Sequence, residues 1–295
     1  MENAILFSMP DQTQFARMVA EKSTIALGYT EQRKFPDGES YIRIISDVTN
    51  KTAIIVCSLN DPNDKLLPLM FMAQTLRELG AKKICLALPY LPYMRQDKRF
   101  HPGEAITSIL FARFVSKWAD ALVTIDPHLH RFHSLNEIYS VRPAHVLHAT
   151  KEIARWIRQN AASPFLIGPD EESRQWVAEI AHQANAPFII CEKARLGDTT
   201  VTVSLPELPD LNTVPILIDD IISSGASMLA TLRQLIEKGF KQPVCIGVHA
   251  LFNSTTEQNL RLAGASKIIT CNTITHATNE IDITGLIATG IMQLL

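Results

Sequence analysis

No stretch of this 295-residue chain approaches the roughly 20 consecutive apolar residues needed to span a bilayer; runs such as Ile84 to Leu88 and Ile216 to Ile218 stop far short. An excess of basic charge is also lacking. Lys and Arg number 28 against 30 Asp and Glu, a net charge of -2, so no global field draws nucleic acid or an anionic membrane, and any anion site has to be local. The five cysteines contain no C-x-x-C; Cys57, Cys85, Cys191, Cys245 and Cys271 each sit in or at the end of an apolar run and read as reduced core residues. The start of the chain lacks the basic segment and long apolar run of a secretory signal, which makes the cytoplasm the expected compartment. Low-complexity segments and flexible linkers are missing. So are a G-x-x-x-x-G-K-[ST] loop and the protein-kinase signatures, so a phosphate donor needs some other cradle.

What is present is an ordinary globular composition, 46% hydrophobic and 20% charged, in a chain about twice the commonest domain length. Short runs rich in Val, Ile and Leu alternate with helical-period segments, the pattern of an α/β fold whose mainly parallel sheets are flanked by helices. Strands are expected near residues 53–57, 84–88 and 121–125 and, in the second half, near 165–167, 188–190, 215–218, 244–248 and 268–270. Apolar stripes predict helices over 66–79, 105–117, 149–160, 172–184 and 226–238, with Gly80 and Gly239 as stop signals. Phe35-Pro36-Asp37-Gly38-Glu39 carries a turn signal before the alternating strand from Tyr41 to Ile44, as in a hairpin or flap. The halves look alike in architecture and predict domains of 1–147 and 148–295, with the last helix able to pack back on the first.

The strongest chemical signal runs from Val214 to Ser227. A buried strand ends in Asp219 and Asp220, and the small residues Ser223, Ser224, Gly225, Ala226 and Ser227 then open a helix. Several backbone N–H groups gather there at a helix N-terminus, an anion cradle to which the Ser hydroxyls add donors. The two acids can hold sugar hydroxyls or a solvated Mg²⁺. An Asp-Asp turn with a Ser helix cap leaves the same trace. The spacing His128-x-His130 after a strand suits zinc, but such sites draw further ligands from other strand ends, and His249 is the only other His placed clearly within a strand.

Asp219 to Ser227 resembles the phosphoribosyl-diphosphate loop of the type I phosphoribosyltransferase fold: two acids, two apolar residues, then a small polar run. Ala226 takes a frequent Gly position and Ser227 a usual Thr, and a Cβ at 226 would crowd a phosphate or demand a different backbone. Further segments are similar to the ribose-phosphate diphosphokinases: the Phe35 to Glu39 flap, Arg95-Gln96-Asp97 in the Pro-bounded loop from Pro89, Thr124 to His130, Gly168-Pro169-Asp170-Glu171, and Glu192 to Asp198. They follow one another in the family's order.

That resemblance implies two phosphoribosyltransferase-like domains. It implies transfer of the β,γ-diphosphoryl group of Mg-ATP to the anomeric hydroxyl of ribose 5-phosphate, giving 5-phosphoribosyl 1-diphosphate and AMP. ATP would be bound by Phe35, Asp37, Gly38, Glu39, Arg95, Gln96 and Asp97, and ribose 5-phosphate by Arg195, Asp219, Asp220, Ser223, Ser224, Gly225, Ala226 and Ser227. Mg²⁺ would lie at His128 and Asp170, with Lys193 and Arg195 catalytic on a segment, Gly197 to Thr200, expected to close over the substrates. His130 and His133 read as surface or supporting residues. The resemblance also implies self-association, as dimers building a hexamer, and no nucleic-acid or membrane partner. Two other functions share part of the pattern. A phosphoribosyltransferase would not require Arg95-Gln96-Asp97 or a second domain of the same architecture; the other is a catalytically silent regulatory subunit of a true synthetase.

Overall fold

The structure, a computed structural model, describes residues 3–196, 200–204 and 210–295, with 192–196 and 200–204 described by their backbone. The chain divides into two compact units, Met1–Leu147 together with Thr284–Leu295, and His148–Ile283.

The first unit begins with β1 (Ala4–Ser8), α1 (Thr13–Ser23) and β2 (Ala26–Leu27), followed by a hairpin of β3 (Thr30–Lys34) and β4 (Ser40–Ile44). It continues through β5 (Thr52–Val56), α2 (Pro62–Glu78), β6 (Lys83–Leu88), α3 (Thr107–Val115), β7 (Ala121–Ile125) and β8 (Ala144–Leu147). Its sheet is parallel throughout, in the order β2-β1-β5-β6-β7-β8. Strands covered on both faces need apolar residues at successive positions, which is why Ile54, Ile55 and Leu86 are fully buried in unbroken Val/Ile/Leu runs. Each such side chain contributes about 1.5–3 kcal/mol.

The second unit runs α4 (Thr150–Asn160), β9 (Pro164–Gly168), α5 (Arg174–Ala184), β10 (Phe188–Ile190), then a hairpin of β11 (Glu192–Leu196) and β12 (Thr200–Ser204). It ends with β13 (Val214–Ile222), α6 (Ala226–Glu237), β14 (Val244–Ala250), α7 (Ser254–Leu262), β15 (Lys267–Cys271) and β16 (Asn279–Ile281). Its parallel sheet has the order β10-β9-β13-β14-β15-β16. The first sheet's order thus recurs in the second, and each half inserts its hairpin between the second strand and the third of the sheet. One difference from expectation matters for the site. β13 extends beyond Ile218 to Ile222, because the ladder to β14 continues through Asp219 opposite Gly247 and Ile221 opposite His249.

The chain then returns to the first unit as α8 (Thr284–Leu294), which packs on α1 and β7. Gly290 permits the close approach: a Cβ there would lie 2.6 Å from Leu147 Cδ1 and 2.7 Å from Val123 Cγ2. Lys22 Nζ donates to Thr284 Oγ1 (2.6 Å) and Lys83 Nζ to Leu294 O (2.6 Å). All five cysteines are buried, and none is in a disulfide. Burial pushes the Cys245 thiol up to about 12 and those of Cys85 and Cys191 to about 11. Among the described residues, no helix is long and apolar enough to cross a membrane.

Candidate active site

In a sheet ordered β10-β9-β13-β14, successive connections run one way from β9 and the other way from β13, so the crevice at the carboxyl ends of these two strands is the place where α/β sheets bind ligands. β13 delivers Asp219 and Asp220 to that edge, half-buried. Ser223, Ser224 and Gly225 then turn the chain into α6 around a cavity of about 100 Å³ lined by Asp219 and residues 221–228. Gly225 caps the helix in the left-handed conformation (φ +69°), and a Cβ on it would sit 3.0 Å from Thr256 Cγ2. Ala226 is the first helical residue and does not share that left-handed backbone, so the departure from glycine at 226 needs no different chain path. The first-turn N–H groups of an α-helix have no partner within the helix; Ala226, Ser227 and Met228 of that turn line the cavity, where the helix's partial positive charge suits a phosphate.

The neighbouring β9 ends at Gly168, where a Cβ would meet Ile190 Cδ1 at 2.6 Å and Ser173 Oγ at 2.7 Å. Asp170 follows as the cap of a short turn, its Oδ1 accepting from Ser173 N (3.3 Å). Pro169, Asp219 and Ser227 line one small crevice, which brings the Asp170 turn beside the cradle. Glu171 is engaged by Arg174 through Nε (2.5 Å) and Nη2 (2.8 Å), and the hydrogen bonds and charge hold its carboxyl below the usual range.

In the first unit the flap is a closed hairpin. Phe35 N donates to Glu39 O (2.7 Å), Gly38 N to Phe35 O (2.9 Å), and Gly38 takes φ +93°. The Phe35 ring is 39% exposed, and the Arg33 guanidinium lies 4.6 Å from its centroid and 4.2 Å from that of Tyr41. Gln32 Nε2 donates to Ser8 O (3.0 Å) and anchors the hairpin at the end of β1.

The loop after β6 buries Tyr90, Leu91 and Met94, exposes Arg95 and buries Asp97. The loop after β7 opens at Asp126, buried with a left-handed backbone (φ +36°), a conformation that Asp adopts more readily than most residues. The rings of His128 and His130 meet edge to face with their Nε2 atoms in contact. His133 N donates to Glu137 Oε1 (2.7 Å). Arg131 reaches across to Asp97, Nε to Oδ1 3.4 Å.

Residues 4–118 match the N-terminal domain of ribose phosphate pyrophosphokinase, and residues 142–284 the phosphoribosyl transferase domain. A ribose-phosphate pyrophosphokinase of Saccharolobus solfataricus is 35% identical over 85% of this chain and 86% of its own length. The chain belongs to the ribose-phosphate pyrophosphokinase family. A family member from Methanopyrus kandleri is 29% identical over 98% of this chain and 99% of its own. The crystal structure of phosphoribosylpyrophosphate synthetase from Mycobacterium smegmatis shares the fold, with a TM-score of 0.85 at 24% identity over 99% of this chain and 98% of that one.

In this pyrophosphokinase chain the sequence-predicted residues divide between the units. Phe35, Asp37, Gly38, Glu39, Arg95, Gln96, Asp97 and His128 belong to the first; Asp170, Lys193, Arg195, Asp219, Asp220 and Ser223 to Ser227 belong to the second. Lys193 and Arg195 lie on β11, opposite Val203 and Val201 of β12; their side chains and the expected closing segment at Gly197, Asp198 and Thr199 lie outside the described residues. Sequence reasoning passed over Arg131. Nothing in Leu129-His130-Arg131 separates it from an ordinary exposed charge, and its partner is 34 positions away on the neighbouring loop.

Proposed function

We propose that the chain acts as a ribose-phosphate diphosphokinase, transferring the β,γ-diphosphoryl group of ATP to the anomeric hydroxyl of ribose 5-phosphate with release of AMP. The observation that carries this reading is the open N–H cradle at the start of α6 beside Asp219 and Asp220, in a chain of this family. The sugar's 5-phosphate lies in the backbone cradle of Ser223 to Ser227. Asp219 and Asp220 accept hydrogen bonds from the ribose hydroxyls, which orients the anomeric oxygen for in-line attack on the β-phosphorus. As charge grows on the diphosphate and on the departing AMP oxygen, Lys193 and Arg195 meet it with positive charge. Arg95, Gln96, Asp37, Gly38 and Glu39 hold ATP, and the half-exposed Phe35 ring offers the base an apolar face.

Among the described residues, no three His, Cys, Asp or Glu side chains gather at one point, so a metal would take its remaining ligands from substrate and water. That is the habit of Mg²⁺: in the second unit the oxygens of Asp170 fit it, and in the first the His128 nitrogen would bind it through water. Bound with ATP, Mg²⁺ screens the charge of the transferred phosphates. Dimers building a hexamer and a cytoplasmic location belong to the same proposal. The catalytically silent reading drew its weight from the altered Ser223 to Ser227 loop; the ordinary helical start at Ala226 supports the enzymatic reading over it.

³¹P NMR of the protein with Mg-ATP and ribose 5-phosphate should show AMP and a new diphosphate ester, both dependent on the sugar phosphate. ADP in place of AMP would mean transfer of a single phosphoryl group and a different kinase. Lys193→Ala should lower kcat by about 100-fold or more without loss of fold, the scale of removing one charge-stabilising donor. Near-normal turnover would take Lys193 out of the mechanism.

A further inference from the structure

Asp97 stands in the ATP-binding set, yet its side chain is only 6% exposed, and among the described residues its charged partner is Arg131, 52% exposed and 3.4 Å away. The two residues sit on different loops. Asp97 lies on the loop that leaves β6, Arg131 on the loop that leaves β7, and β6 and β7 are neighbours in the sheet. The first loop has a second tether: Gln96 O accepts from Ser108 N (3.3 Å) at the start of α3. The second loop carries His128 three residues before Arg131.

We propose that Arg131 is a positioning residue for the nucleotide: its guanidinium neutralises the buried Asp97 carboxylate and so holds Arg95 and Gln96 in register with the His128 loop. The proposal rests on the reading of Arg95 and Gln96 as ATP contacts. A carboxylate this deep that loses its partner is drawn out toward water. That swing would disturb the loop one and two residues from Gln96 and Arg95. Arg131 therefore acts through Asp97 and the loop that Asp97 shares with Arg95.

Arg131→Ala, Asp97→Asn and the double variant are compared with wild type in two assays: calorimetric binding of Mg-ATP, and AMP release with each substrate varied. Each single change should weaken Mg-ATP binding and raise its KM by about fivefold, the size of a half-screened pair, with the KM for ribose 5-phosphate held within about twofold. The double variant should lose no more than either single one, because both break the same contact. If Arg131→Ala does not stay folded at the assay temperature, Arg131→Gln carries the same readings. Unchanged Mg-ATP binding in the Arg131 variant, or losses that add in the double variant, would overturn the proposal. Wild-type protein that binds Mg-ATP but releases no AMP would sink the enzymatic reading and still leave the binding comparison to decide on Arg131. A wild type that binds no Mg-ATP would overturn both.

Discussion

Where β5 hands over to α2, Asp61 takes a left-handed backbone (φ +51°) and the helix starts at the next residue; where β13 hands over to α6, Gly225 does the same at φ +69°. The two turns differ at each point that matters to an anion. Thr52 pairs with the first residue of β1 and Val214 with the first of β9, so by count along the strand Cys57 and Ser58 stand where Asp219 and Asp220 do. α2 opens with Pro62, which has no N–H to offer. Lys65 then places its ammonium against Ser58 O (3.0 Å), Asn60 Oδ1 (2.7 Å) and Asp11 Oδ2 (2.5 Å). α6 keeps its donors, and Ser223 to Leu229 contains no Lys or Arg. A helix N-terminus is anion-seeking by default. At the matching turn of the first unit Pro62 withholds one N–H, and the carboxylates of Asp61 and Asp64 add negative charge that disfavours an anion.

The sharpest way to break this comparison is to close the open turn. Gly225→Val puts a branched side chain on a left-handed backbone and against Thr256. We expect kcat/KM for ribose 5-phosphate to fall by about 100-fold or more while Mg-ATP binding stays intact. The matching change in the first unit, Asp61→Gly, relieves such a backbone and should leave turnover unchanged and stability within about 1 kcal/mol. Equal damage from both would mean that the turns are not functionally distinct.

Lys65→Met comes next in size. It leaves three oxygens without their donor, and the urea midpoint should drop by the equivalent of about 1–3 kcal/mol with no change in the KM for ribose 5-phosphate. An unchanged midpoint would show that the contacts of Lys65 carry no stability.

The smallest effect concerns the cores, where the units should behave alike. Cys57 and Cys85 in the first and Cys191 and Cys245 in the second hold their protons above the ordinary value of 9.0, because burial disfavours the thiolate. Unfolded thiols ionise from about pH 9, so stability is undiminished below that and falls as pH rises toward the raised values. Cys245→Ala should flatten this alkaline limb by at most about 1.4 kcal/mol per pH unit, read from urea titrations at stepped pH. An unchanged slope would clear the thiols.

Most of the sheet was legible because strands buried on both faces must be apolar at successive positions, and the runs at 84–88 and 121–125 stand out for that reason. β13 was read short because Asp219 and Asp220 interrupt its apolar run, and only pairing with β14 carries it further. α7 left little trace, since Leu260 is its one buried residue. At the cradle, residue types announced the site, but which residue turns left-handed is a backbone fact: it is Gly225, not Ala226. The Asp97–Arg131 contact was invisible for a topological reason. It exists because two loops leave adjacent strands, and spacing along the chain does not encode adjacency.

The helix α8 has a consequence for how the molecule is made. Thr284, its first residue, is hydrogen-bonded to Lys22, 262 positions earlier. A ribosome must therefore complete all of the second unit before the first can receive this helix, and until then the berth that Gly290 fills on Val123 and Leu147 stands bare. The half of the molecule that is synthesised first is the half that is finished last.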